Sequence, residues 1–189
     1  MNNKSLIILL VLAVFLVTGC KETHNKAIDL AYHLTATASD SALSVLNGVD
    51  QAKLGKAEMA RYALVYTIAQ DKSGLDVDND SLLRTAYTYY NNREQDSLYA
   101  KCEYYMGKYY MLNDSTEKAL KCLFNSIRVA EDFRDNKTQV MSLLKLSVIT
   151  RAYDQDKALK YTLFADSLFK KTKGISLKDR IYIILNVAE

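Results

Sequence analysis

The sequence contains no proline and no tryptophan, and only two of its 189 residues are histidine. Proline breaks helices because it lacks a backbone N–H and its ring clashes with the preceding turn. Its absence, with the scarcity of runs of β-branched residues, favours an all-α protein. His24 and His33 form no catalytic pattern with serine and acidic residues, and the chain shows no glycine-rich phosphate loop or metal-binding Cys/His spacing. We expect no enzymatic activity, no cofactor and no metal.

Residues 1–19 have the pattern of a secretory signal peptide. Lys4 provides a positive start, and residues 6–17 form an unbroken apolar run. As a helix this run would cover about 18 Å, less than the roughly 30 Å of a bilayer's hydrocarbon core, so an uncleaved anchor is the weaker alternative. The residues Val-Thr-Gly-Cys that end at Cys20 resemble a bacterial lipobox. The resemblance implies cleavage before Cys20 and acylation of its sulfur with palmitate-like chains.

The sequence therefore predicts an extracytoplasmic lipoprotein of the bacterial cell envelope, anchored by its lipid to a membrane that we expect to be the outer membrane. Residues 20–25 are expected to form a lipidated tether. The remaining chain carries 24 basic against 22 acidic residues, so it lacks the positive footprint that nucleic-acid binding requires. We expect this part of the chain to bind the membrane through its lipid and to bind no nucleic acid.

The clearest structural signal lies in residues 100–130. Apolar residues recur three or four apart on both sides of the polar residues 113–116, which predicts two antiparallel helices joined by a turn. Asp114 and Glu117 have the spacing of a capping box at the start of the second helix. The stretch is thus expected to be a helical hairpin.

This hairpin resembles the signature of a tetratricopeptide repeat (TPR). The similarity rests on spaced small and large residues, namely Met106, Gly107, Tyr110, Ala119, Leu120, Leu123 and Ser126. The chain departs from the family at Glu103, where tryptophan is common, and it lacks the terminal proline of the repeat. The resemblance implies an α-solenoid of antiparallel helical hairpins, a fold that serves as an interaction scaffold. Gly107 and Ala119 are the positions at which the two helices would approach closely.

The same periodicity extends the TPR-like domain over residues 26–189. It predicts hairpins at about 26–47, 56–92, 98–131 and 137–172, followed by a last helix at 177–188. Asp40 and Asp80 are predicted N-caps. Ala86 and Ala119 are 33 positions apart, close to the TPR period, and Ala119 and Ala158 are 39 apart.

The last predicted helix is strongly apolar, whereas solenoids normally end in a polar cap. We therefore expect the chain to be the front part of a longer protein, although the helix could itself be the cap. The segments that begin at Asp40, Arg61 and Asp80 are similar to the N-terminal region of TPR-containing bacterial lipoproteins and membrane-linked regulators. In the longer relatives, the repeats are followed by a membrane helix, a coiled coil and a DNA-binding helix-turn-helix, which here would lie beyond Glu189.

In the TPR family the first helix of each hairpin lines a concave face. The resemblance therefore implies a partner-binding groove formed by Lys101, Tyr104, Lys108 and Met111, in which Lys108 would meet a carboxylate of the partner. Eight tyrosines crowd this region, and most are expected to pack between helices: Tyr87, Tyr89, Tyr90, Tyr99, Tyr104, Tyr105, Tyr109 and Tyr110.

Three smaller patterns leave alternatives open. Cys102 and Cys122 are expected to be buried free thiols, with a disulfide as the alternative. Asp-Ser pairs recur along the chain and are similar to the short Asp-Ser/Thr-aliphatic sites of a bacterial O-glycosylation system, although helix capping explains most of them more simply. They occur at Asp40, Asp80, Asp96, Asp114 and Asp166. Asp76, Asp78 and Asp80 lack the glycine and glutamate of a calcium loop.

The sequence as a whole predicts a membrane-anchored, TPR-like lipoprotein that binds another protein or peptide in the cell envelope. One alternative is the extracytoplasmic sensor part of a membrane-linked transcriptional regulator. A surface glycan-binding lipoprotein is a third possibility, against which the missing tryptophan and the small size argue.

Overall fold

Helices account for all the regular secondary structure in the part of the chain that the structure describes. The computed structural model describes residues 25–75, 80–91, 93 and 96–172. These ranges contain eight α-helices and a short 3-10 turn, and they contain no strand. The all-α prediction is therefore confirmed for them. The predicted lipidation site Cys20, the aspartates Asp76 and Asp78 and the predicted last helix at 177–188 lie outside the described residues.

The helices follow one another as adjacent packed pairs. Their bounds are α1 Lys26–Leu34, α2 Ser39–Asn47, α3 Lys56–Lys72, α4 Asp80–Asn91, α5 Ser97–Leu112, α6 Thr116–Asp132, α7 Asn136–Arg151 and α8 Gln155–Phe169, with the 3-10 turn Gln51–Lys53 between α2 and α3. Each α-helix packs against the next one in the chain. The helices that open the pairs also contact one another, α1 with α3, α3 with α5 and α5 with α7.

Polar residues at the helix starts explain where several helices begin. The side chain of the N-cap residue accepts a hydrogen bond from a backbone N–H of the first turn, which would otherwise have no partner. Four helices have such a cap, Asn25 for α1, Asp96 for α5, Asp135 for α7 and Asp154 for α8.

Two predicted caps are not found. Asp40 lies in the first turn of α2, and Ala38 occupies the cap position without a side-chain bond. Asp114 has a φ of 51° and lies in the turn after α5, while Ser115 precedes α6 without a side-chain cap bond. Capping therefore explains Asp96 but not these two. Asp166, another residue of the recurrent aspartate pattern, lies inside α8 and pairs with Lys170.

Three connections between helices share one turn geometry. Each contains a residue in the left-handed region, and the next N–H donates to the carbonyl five positions earlier, which satisfies an end carbonyl of the preceding helix. The left-handed residues are Gly74, Asp114 and Arg134, with φ of 75°, 51° and 55°. The closing bonds run from Leu75 to Gln70 at 3.0 Å, from Ser115 to Tyr110 at 2.9 Å and from Asp135 to Ala130 at 2.8 Å.

The helices α5 and α6 lie close together at Gly107. A Cβ atom added there would lie 2.8 Å from Cγ of Leu123 and 3.5 Å from the carbonyl oxygen of Ala119. Ala119 and Leu123 are fully buried. The predicted close approach of the two helices is therefore confirmed.

Buried hydroxyl groups join neighbouring helices. Ser126 of α6 donates to the carbonyl of Ala100 in α5 at 2.7 Å and lies 2.8 Å from the hydroxyl of Ser142 in α7. Ser147 of α7 and Thr162 of α8 form a similar pair at 2.7 Å. A buried hydroxyl without a partner costs free energy, so these matched pairs favour the observed helix register.

Cys102 and Cys122 are buried free thiols, as expected from the sequence. Burial, reinforced by the nearby Glu103 carboxylate, raises the pKa of both thiols, that of Cys122 to about 12. In the described ranges, no helix has both the length and the apolar character needed to span a bilayer.

Candidate functional site

A groove with a volume of about 280 Å³ lies where the helices that open the four pairs come together. We call it the central groove. Its lining comes from the ends of α1 and α3, the first half of α5 and the start of α7, namely Tyr32, His33, Thr35, Ala36, Ile68, Lys72, Lys101, Tyr104, Tyr105, Asp135, Lys137, Thr138 and Met141. Residues more than 100 positions apart in the sequence thus share one cavity.

The floor of the central groove is apolar and aromatic. Ile68, Tyr104 and Tyr105 are between 3% and 6% exposed, so only small parts of their surfaces face the cavity. The rings of Tyr104 and Tyr105 meet edge to face with their centroids 4.9 Å apart. Met141 is half-buried and also lines the groove. Aromatic and methionine side chains suit a surface that receives apolar groups of varied shape.

The rim of the groove is mainly cationic. Lys72, Lys101 and Lys137 come from three different helices and are half-buried, and His33 is exposed. Asp135 is the acidic residue among the lining residues. A partly buried ammonium group interacts with an anion more strongly than one in open water, because the effective dielectric constant is lower.

Asp135 is already engaged within the chain. Its carboxylate forms an ion pair with Lys101, and it also accepts bonds from the Thr138 hydroxyl at 2.7 Å and the Thr138 N–H at 3.1 Å. Burial by itself would raise the pKa of Asp135, but the Lys101 charge and the bonds from Lys101 and Thr138 outweigh it and lower that pKa below its usual value. Asp135 is therefore an anion that helps to fix α5 against α7.

A second ion pair lies on the same helix, two turns further on. Lys108 pairs with Asp71 at the end of α3, and the Tyr105 hydroxyl donates to the same carboxylate at 3.2 Å. Burial, with Asp71 nearby, raises the pKa of Tyr105 well above its usual value, so this hydroxyl stays a neutral donor. Lys101 and Lys108 thus connect α5 to α7 and to α3.

The structure separates the four residues predicted to form the partner-binding groove. Lys101 and Tyr104 line the central groove, but Lys108 and Met111 are not among its lining residues. Lys108, predicted to meet a partner's carboxylate, contacts Asp71 of its own chain. Met111 packs against the main hydrophobic core. The lining residues on α1, α3 and α7 were not predicted.

Glu103 is a further buried group whose role the sequence did not indicate. Its side chain is fully buried, and its Oε1 atom lies 2.5 Å from the Tyr99 hydroxyl, 3.4 Å from the Tyr87 hydroxyl and 3.1 Å from Nδ2 of Asn125. Burial, with the Glu103 charge, raises the pKa of Tyr87, which keeps its hydroxyl protonated. The cluster joins α4, α5 and α6 and lies apart from the central groove.

The side chains of the central groove are suited to binding. Within the described ranges, no group of three or more histidine, cysteine or acidic side chains is placed to hold a metal ion. The central groove combines an apolar floor with charged rim groups, which is the usual composition of a recognition site.

No known protein family matches this chain, and no curated protein or solved structure is similar enough to count as a match. The TPR resemblance therefore rests on the residues that carry it in the sequence.

Proposed function

We propose that this protein is a membrane-anchored, TPR-like interaction scaffold that binds a segment of another envelope protein in the central groove. The observation that carries the proposal is the origin of the groove in four different helix pairs. A cavity built in this way receives side chains from a single extended or helical segment, which is how repeat scaffolds bind their partners.

The pattern of helix contacts supports a solenoid arrangement. In a solenoid, each hairpin contacts its neighbours in the chain, and equivalent helices of successive hairpins lie side by side. The contacts of α1 with α3, α3 with α5 and α5 with α7 have this form. The buried small residues Ala86, Ala119 and Ala158 each lie in the second helix of a pair, as the TPR resemblance implies.

Site-specific photo-crosslinking in a bacterial envelope tests the groove. A photoreactive phenylalanine analogue is placed at Ala36, which is exposed and lines the groove. The matched control is Ala152, which is also exposed but lies at the far end of α7. About 24 Å of helix separates that end from the start of α7. We expect a discrete protein adduct from position 36 and none from position 152. Equal adducts from both positions, or no adduct from position 36, would contradict the proposed binding site.

The lipid anchor is a separate part of the proposal and has its own test. Cells that produce the full chain are fed an alkyne-labelled fatty acid, and the protein is examined for label and for intact mass. We expect label on the wild-type chain, loss of residues 1–19 and no label on a Cys20→Ala variant. An unlabelled wild-type protein that retains its first residues would disprove anchoring through Cys20 and leave the groove proposal unaffected.

A further inference from the structure

The structure assigns a chemical class to the segment that the central groove would receive: we infer that it is an acidic, apolar peptide segment, in which carboxylate side chains flank a large apolar one. This inference rests on the proposed function, since it names the chemistry of the partner at the same site. Charge and cavity size are the observations that carry it.

The charge of the rim selects an anionic partner. Three lysines and one aspartate line the groove, and the aspartate is held by Lys101 and Thr138. Lys72 is placed at the end of α3, and no carboxylate of the described residues forms an ion pair with it. A carboxylate that enters the groove would therefore meet the ammonium group of a half-buried lysine without displacing an ion pair of the described residues, and such charge-assisted contacts are the stronger kind.

The size and the floor of the groove fit the side chains of a peptide better than a whole small molecule. Its volume of about 280 Å³ is slightly below the usual range of about 300–1,000 Å³ for cofactor and drug sites. Ile68, Tyr104 and Tyr105 close it from below with almost fully buried side chains. A large apolar side chain can fill this floor while its acidic neighbours reach the rim. A bilayer surface is flat on this scale and would contact the rim alone.

Synthetic peptides test the inference directly. The protein is the chain from residue 20 onward carrying Cys20→Ala, which removes the acylated sulfur. Its probe is a fluorescein-labelled octapeptide of alternating aspartate and leucine, and the matched peptide has asparagine in place of aspartate. Fluorescence anisotropy should show that the aspartate peptide binds at least about tenfold more tightly, the change expected for one charge-assisted hydrogen bond. Binding should weaken as salt rises, because the rim charges are screened.

Variants locate the contact. Lys72→Gln should weaken binding of the aspartate peptide by about tenfold. Lys160→Gln is the matched control, since Lys160 is exposed on α8 outside the groove, and it should change binding by less than about twofold. Circular dichroism of both variants confirms that the helices are intact.

Four results would overturn the inference. Equal affinity for the aspartate and asparagine peptides would show that the groove does not prefer acidic segments. An equal loss of affinity in both lysine variants would show that the peptide does not bind at Lys72. Tighter association with phosphatidylglycerol vesicles than with the peptide would favour a lipid surface instead. If no peptide binds while position 36 still crosslinks a partner, the acidic class is wrong and the proposed function stands. Loss of the crosslink at position 36 counts against the proposed function itself.

Discussion

The Lys101 ammonium of α5 pairs with the Asp135 carboxylate at the start of α7, and the two residues are 34 positions apart in the sequence. Asp135 is also the N-cap of α7. One carboxylate therefore begins a helix, fixes its position against α5 and forms part of the rim of the central groove.

Replacing Asp135 with asparagine separates these roles. Asparagine is as good an N-cap as aspartate, so the Asp135→Asn variant keeps the cap and loses the charge. We expect the free energy of unfolding to fall by about 1–2 kcal/mol, because the half-buried Lys101 loses its counter-ion. Urea unfolding followed by circular dichroism measures this. Asp132→Asn is the control, since Asp132 is exposed and its pair with Arg128 is a surface pair with little effect.

The effect of Asp135→Asn should depend on pH in a defined direction. The folded-state pKa of Asp135 is lowered from its ordinary 3.8. Its charge therefore contributes stability above about pH 4, and this contribution is lost as the pH falls through the folded-state pKa. The difference between wild type and variant should be constant from pH 5 to 7 and should shrink below about pH 4. A difference that stays unchanged down to pH 2 would show that the ion pair is not its source.

Substitution of Gly107 is expected to create a packing conflict with Leu123. In Gly107→Ala the new Cβ would lie 2.8 Å from Cγ of the fully buried Leu123, so the side chain or the helix must shift. Overpacking costs about 1–3 kcal/mol, and the better helix propensity of alanine offsets about 1 kcal/mol. We expect a net loss of up to about 2 kcal/mol in thermal or urea unfolding.

Two further variants test the cause of that loss. Gly48→Ala is the control, because its nearest atom would be 3.5 Å away and the change should cost little. In a Leu123→Ala background, which removes the obstructing side chain, Gly107→Ala should no longer destabilise the protein. A full cost in that background would point to the backbone contact with Ala119 instead.

The helical part of the fold could be predicted because it depends on local patterns. Hydrophobic periodicity located the helices within a few residues of their observed bounds, and small residues such as Gly107 marked a close contact. Turn conformations were harder to predict from the sequence than helices. Asp114 was predicted to begin a helix, yet its φ of 51° places it in the turn that ends the previous one. An aspartate next to a serine is compatible with either role, and only the register of the two helices decides between them.

The site was predicted only where it lies on a single helix. Lys101 and Tyr104 were selected from α5, whereas the partners of Lys101 and Lys108 lie 34 and 37 positions away. These separations are close to the 33-residue spacing of Ala86 and Ala119, so residues about one such interval away were the available signal. It was not sufficient, because the side-chain pairing also depends on the rotation of each helix about its axis.

Replacement of Arg134 by glycine is expected to stabilise the protein. Its φ of 55° is strained for a residue with a Cβ atom, and its side chain is exposed. Glycine adopts this conformation without that strain but has more freedom in the unfolded chain. We expect Arg134→Gly to raise the free energy of unfolding by about 0.5–1 kcal/mol. Arg134→Ala keeps the Cβ atom and should give no gain, so a similar gain from alanine would locate the effect in the lost charge.

The burial of the Cys102 and Cys122 thiols is expected to slow their reaction with thiol reagents in the folded protein. In the Cys20→Ala chain, Cys102 and Cys122 are the remaining cysteines, and both are buried and free. The thiolate is the reactive form, and burial raises the pKa of both groups, so a disulfide-exchange reagent should react slowly with the folded protein even at pH 9. After unfolding without a reductant, both thiols should react at once. No reaction until a reductant is added would instead reveal a disulfide.

The same thiols should make stability fall in alkali. Their folded-state pKa values are raised above the ordinary 9.0, that of Cys122 to about 12. The unfolded chain therefore loses these protons at a lower pH than the folded one, and the free energy of unfolding should decrease as the pH rises above about 9. Buried tyrosines such as Tyr105 ionise late for the same reason and add to the decrease above about pH 10. A Cys102→Ala/Cys122→Ala variant should show a smaller decrease between pH 9 and 10, and an unchanged slope would mean that the thiols ionise equally in both states.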